Sequence, residues 1–273
     1  MKKFRWLIIS VFVIFGAVAG LCATHNFPMQ VIVESLETQA TVSNISHALD
    51  EFRERYHALP GDLRDASKVI KGCTETCNPS AETAGDGIIG RPDFIKTLLP
   101  QVADKVKIPA TSAEDETVLF WTHLAKAGLL DSGGMPDKDG IPVGWGRPYP
   151  RSSFGDSGFI VGYSDGSPLP PSLAPDSKQS PKGVILVLIS SEVLEGEAKM
   201  NDPGQQPMKP RWAAMADRRM DDGRPDSGYI QAYGPPSCFK TSDYYNSGPG
   251  LAYNEDNPSN DCGLIYRIEW DKR

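Results

Sequence analysis

The sequence is poor in the groups that most often carry catalysis. Four histidines occur in 273 residues, at His25, His47, His57 and His123, and no two are spaced to bind a metal from one helix face. His-Glu-x-x-His and Gly-x-x-x-x-Gly-Lys are absent, which removes the usual zinc-protease and P-loop readings. Basic residues are outnumbered, 28 against 35 acidic, for a net charge of −7. A nucleic-acid partner is not expected, because phosphate binding needs a basic face. Five cysteines are too few for a disulfide-built miniprotein. Long apolar runs are scarce as well: there is one, from Trp6 to Ala23. What is present is a globular composition, 40% apolar and 23% charged, with 26 glycines and 23 prolines. That excess of Gly and Pro points to turns and loops rather than a helical bundle.

Lys2, Lys3 and Arg5 precede the apolar run. As a helix the run would reach roughly 27 Å, close to the thickness of a bilayer core. The bases place its N-terminal flank in the cytoplasm and the rest of the chain outside the inner membrane. A signal peptide cleaved after Ala23 is one reading, although Leu21 suits a small-residue site poorly. A retained anchor is the other. It is favoured by the segment after the run, where Leu36, Ala40, Val42, Ile45, Leu49, Phe52 and Tyr56 form a helical stripe. Pro28 should kink the join, and Pro60 and Gly61 should stop the helix near Ala58. The plainer alternative is an anchor followed by an unrelated surface helix.

Further on, short helices are expected over 62–71 and 93–99. A better one spans 111–127, with Thr111 and Glu114 as a capping box and Gly128 as its C-terminal cap. Residues 132–150 read as loop, as does the proline-rich stretch 168–181. A helix containing Trp212 spans 207–220. Strands are expected over 158–163, 184–189, 229–233 and 264–270. The run 184–189 (VILVLI) suits a central strand. In 264–270 apolar and polar residues alternate, as in a strand with one covered face. Helices first and an antiparallel sheet after them make the fold class α+β.

In an oxidising compartment the expected disulfides are Cys73–Cys77 and Cys238–Cys262, with a four-cysteine zinc site as the alternative. Asp137 and Asp139 begin like a calcium loop but lack its later acids. Asp86 in GDG, and Asp221, Asp222 and Asp226 in DDGRPD, are the candidate metal ligands, with calcium as the ion. The same Asp-Gly clusters also read as turns, in which Asp bonds its own backbone. No other cofactor is expected and no catalytic residue stands out.

Five segments carry a resemblance: FRERYHALPGDL (52–63), GDGIIG (85–90), FWTHLAKAGLL (120–130), MDDGRPDSGYIQAYG (220–234) and CGLIYRIEW (262–270). Together they resemble the bacterial type IV pilin-like proteins, in particular the minor pilins and type II secretion pseudopilins with an ALPGD turn after the first helix. The resemblance implies a long N-terminal helix packed on a small antiparallel sheet. Residues 1–29 would be the membrane-anchoring half-helix, and residues 30–273 a periplasmic or extracellular pilin-like domain. It implies a stacking subunit rather than an enzyme. Its partners would be sister pilin or pseudopilin subunits, met through the N-terminal helix, and the inner membrane. Pro28 is similar to the family's kink proline, and Cys238–Cys262 to its C-terminal disulfide. Two positions depart from the family pattern. Lys3 stands where Gly precedes the mature start near Phe4, and Ile8 stands where Glu is expected.

Overall fold

The computed structural model describes residues 29–90, 115–130, 144–146, 148–175, 177–194, 197–243 and 249–268. The apolar run 6–23, Pro28 and the helix expected over 93–99 lie outside the described residues. Among the described residues, no helix is long and apolar enough to cross a membrane. The chain divides into two units, residues 1–33 and 34–273. Helix α1 (Met29–Tyr56) begins in the first unit. The second unit is α+β with a small antiparallel sheet.

Within that unit α1 buries Ser35, Thr38, Val42, Ile45, Leu49 and Phe52. The spacing alternates three and four residues, so these positions share one face. The face is rotated from the expected one at its N-terminal end. Leu36 is 43% exposed and Ala40 is also exposed. The reason is a polar neighbour: Thr38 Oγ1 lies 3.3 Å from Ser152 Oγ, and Ser153 donates to Glu37 at 2.7 Å. Hydroxyls facing a polar loop leave no hydrophobic signal. Further along, Ser46 donates to the carbonyl of Ile268 at 2.9 Å, tying α1 to the end of the sheet. The helix ends at Tyr56, and His57 takes a left-handed backbone with φ 55°. One turn of helix, α2 (Ala66–Val69), is all that forms over 62–71.

Helix α3 (Glu116–Lys126) starts on Asp115, whose carboxylate accepts the Thr117 N–H at 2.8 Å. Thr111 and Glu114 lie outside the described residues. At the other end Leu129 N–H reaches the Leu124 carbonyl and Gly128 N–H the Ala125 carbonyl, both at 2.9 Å. That pair is a Schellman cap, with Gly128 in the expected place.

Residues 132–150 are not wholly loop, since β1 (Gly144–Trp145) and β2 (Pro148–Tyr149) pair over two residues. The main sheet contains β3 (Ser157–Ser164), β4 (Gly183–Ser190), β5 (Ile230–Tyr233) and β8 (Gly263–Arg267), in the order β3-β4-β8-β5 and antiparallel throughout. Strand β4 is central and buried along its whole length, as its unbroken apolar run requires. Strand β8 departs from the alternation read in its sequence: Leu264, Ile265 and Tyr266 are all buried. As an inner strand between β4 and β5 it is covered on both faces, and only Arg267 begins to emerge. A separate hairpin of β6 (Phe239–Asp243) and β7 (Pro249–Tyr253) has no counterpart among the expected strands. One turn of helix, α4 (Ser191–Leu194), follows β4. Helix α5 (Pro210–Met220) starts at Pro210 rather than 207, with the proline in its first turn. It packs against β5 and β7, while α3 packs against β2 and β3.

Candidate functional site

Three of the five resembling segments, 52–63, 85–90 and 120–130, meet at one node, and a fourth, 220–234, builds a second. The first begins at the turn Leu59–Asp62. Gly61 adopts φ +90°, and a Cβ there would sit 2.3 Å from the Glu116 carbonyl, so only glycine fits against α3. Its N–H donates to His123 Nδ1 at 2.8 Å, and His123 Nε2 lies 2.8 Å from the Cys77 carbonyl. Phe52 stacks on the imidazole, with ring centroids 6.0 Å apart. One buried histidine therefore joins α1, the turn, α3 and the disulfide turn Cys73–Cys77. Burial lowers its pKa to about 4. With both ring nitrogens held by backbone groups, His123 is a packing residue and not a free base.

Asp62 faces the GDG loop. It accepts backbone N–H groups of Gly85, Asp86 and Gly87, the last two at 3.1 and 2.9 Å. Asp86 accepts Ile88 N–H at 2.8 Å. Glu116 Oε2 accepts Gly90 N–H at 2.8 Å. One carboxylate oxygen from each of Asp62, Asp86 and Glu116 lies within 4.8 Å of the others. Burial raises the pKa of Glu116 to about 7, with the charges of Asp62 and Asp86 adding to the effect and Thr83 and Gly90 opposing it. Burial also raises Asp62, against the pull of its backbone donors.

The second node joins the end of α5 to the last strands. Asp217, fully buried, accepts Gly223 N–H at 2.9 Å and the Tyr253 hydroxyl at 2.6 Å. Its pKa rises to about 7, chiefly through burial. Asp221 accepts the N–H groups of Tyr229 and Ile230, the latter at 2.8 Å. Asp222 accepts Arg224 N–H at 2.8 Å and the Ser227 hydroxyl at 2.6 Å. Asp217, Asp221 and Asp222 form the other close carboxylate group.

The four acids singled out in the sequence are thus not one site. Asp86 belongs to the first node and Asp221 and Asp222 to the second. Asp226 is in neither, and lies 3.7 Å from Arg224 Nε. The partners missed in the sequence are Asp62, Glu116 and Asp217. Asp62 was legible only as part of a turn, and the other two only as helix residues. Both expected disulfides are present, Cys73–Cys77 and Cys238–Cys262. The pairing replaces the four-cysteine zinc alternative. Asp137 and Asp139 lie outside the described residues.

Two further features have a definite reading. Gly162–Gly166 spells Gly-x-Ser-x-Gly, the pattern of a nucleophile elbow, which needs an exposed serine between a strand and a helix. Here Ser164 ends β3, is fully buried, and shares a hydrogen bond with Ser180 at 2.8 Å. A groove of about 380 Å³ between α1, α5 and the end of β8 is lined by Ser46, His47, Asp50, Arg219 and Arg267 among others. Its mixed charges select no single ligand chemistry. Compared with models of protein families, with curated proteins and with solved structures, the chain matches none.

Proposed function

We propose that the protein is a structural subunit of a type IV pilus or type II secretion filament, a minor pilin or pseudopilin-like chain at the tip or initiating position. One observation carries the reading. Helix α1 is tied through Ser46 to the end of a four-stranded antiparallel sheet, and a disulfide closes the loop before the last strand. Two disulfides also suit an oxidising compartment outside the inner membrane. Three of the segments that resemble the family meet at the first node, so the resemblance follows parts that fold together. No catalytic role is proposed.

The tip position follows from Ile8. In a repeating subunit a glutamate there would offset a neighbour's charged N-terminus inside an apolar filament core, where a lone charge is costly. A tip or initiating subunit has no such duty. The same residue favours a second reading, a non-assembling periplasmic binding or adhesion domain anchored in the inner membrane.

The test is the N-terminus and intact mass of the protein recovered from membranes. A chain beginning at Phe4 is the expected result for pilin-type maturation. One beginning at Thr24 overturns both anchored readings, and one beginning at Met1 selects the non-assembling domain.

A further inference from the structure

We propose that Asp62, Asp86 and Glu116 bind one divalent cation of the calcium class, which joins the turn after α1, the GDG loop and the start of α3. The inference rests on the first node alone and not on the filament reading.

Three like-charged side chains meeting is by itself a common surface feature. What sets this group apart is Glu116. The residue is 3% exposed, and its Oε1 has no hydrogen-bond partner among the described residues and no contact with solvent. A bare, buried carboxylate oxygen is costly and calls for a proton or a cation. A proton would satisfy one oxygen pair. A cation engages all three carboxylates at once. Asp62 is fixed in place for this by its three backbone donors. Asp86 closes the group from the exposed side, through which water can complete the coordination.

The ligand chemistry selects the ion. An all-carboxylate set suits a hard cation and not zinc or copper, which favour nitrogen and sulfur. Calcium takes several carboxylates in a flexible geometry, whereas magnesium keeps most of its waters. The three oxygens here lie within 4.8 Å of one another, close enough for one cation to touch all three. The second node offers less. Among Asp217, Asp221 and Asp222 no buried carboxylate oxygen lacks a hydrogen-bond partner, so nothing there calls for a cation.

The experiment is calcium titration of the full-length chain in detergent, stripped with a chelator, read by calorimetry and by thermal unfolding. One calcium per chain and a saturable rise in Tm are expected. Asp86→Asn lies on the surface, and Glu116→Gln keeps an acceptor for Gly90, so both should fold. Each should weaken calcium binding about tenfold or more, while Asp222→Asn leaves it unchanged. No bound calcium and no change in Tm would overturn the site. Binding that survives Glu116→Gln but is lost in Asp222→Asn would overturn it in favour of the second node. An equal response to magnesium would overturn the calcium assignment.

Discussion

His123 carries a proton whose position is fixed by its neighbours. Nδ1 accepts from Gly61, so the hydrogen resides on Nε2 and is donated to Cys77. A second proton would set N–H against N–H. The folded pKa of about 4 is below the ordinary 6.5, so His123 contributes stability above about pH 6.5 that is lost as pH falls through about 4. Asp217 works in the opposite direction. Its folded pKa of about 7 is above the ordinary 3.8, so its contribution is complete below about pH 3.8 and is lost as pH rises through about 7. Asparagine at this position imitates the protonated acid: its oxygen keeps Gly223 and its nitrogen donates to the Tyr253 oxygen. Asp217→Asn should therefore gain on the parent between pH 5 and pH 8, by at least about 1.4 kcal/mol, the worth of one pKa unit. Urea unfolding at the two pH values measures this. Parallel profiles for parent and variant would reject it.

Among the elements, α1 puts two leucines in opposite circumstances. Leu49 is fully buried, and Leu36 is 43% exposed. Leu49→Ala should cost roughly 2–5 kcal/mol, while Leu36→Ala should stay within about 0.5 kcal/mol of the parent. Thermal unfolding of the two variants side by side is the check, and equal losses would contradict the observed face. The example also shows what sequence patterning can and cannot see. Val42, Ile45, Leu49 and Phe52 were legible because apolar periodicity marks a buried face. Ser35 and Thr38 were not, because hydroxyls carry no apolar signal, and the loop that Thr38 meets is more than a hundred residues away. Strand β4 was legible as an unbroken apolar run. The pair β6 and β7 was not. FKTSD and PGLAY have no alternation, and the hairpin is held from outside, by Tyr253 on Asp217 and by Glu255 on Arg218 at 2.9 Å.

Across the whole molecule, composition picked out Asp86, Asp221 and Asp222 but not their groupings, which are made by tertiary folding. Asp86 meets an acid from the turn after α1 and another at the start of α3. Nothing in the local sequence of GDG announces either partner. Cysteine spacing was a better guide, since both pairs are present as expected. Their energetic weight should differ. On the chain-entropy argument, removing Cys238–Cys262 by a double Cys→Ser change costs roughly 3 kcal/mol, and removing Cys73–Cys77 roughly 2. Denaturation of the two double variants ranks them, and the reverse order would mean that native-state strain or denatured-state structure dominates.

The Cys238–Cys262 bridge also changes how the molecule answers to force. Its sulfurs join positions 24 residues apart in sequence, with Cα atoms 5.3 Å apart in space. A chain pulled from its two ends therefore stretches across the bridge and never draws out the hairpin inside it. Roughly 80 Å of contour, at about 3.4 Å per residue, stays hidden from the load until a reductant opens the bond.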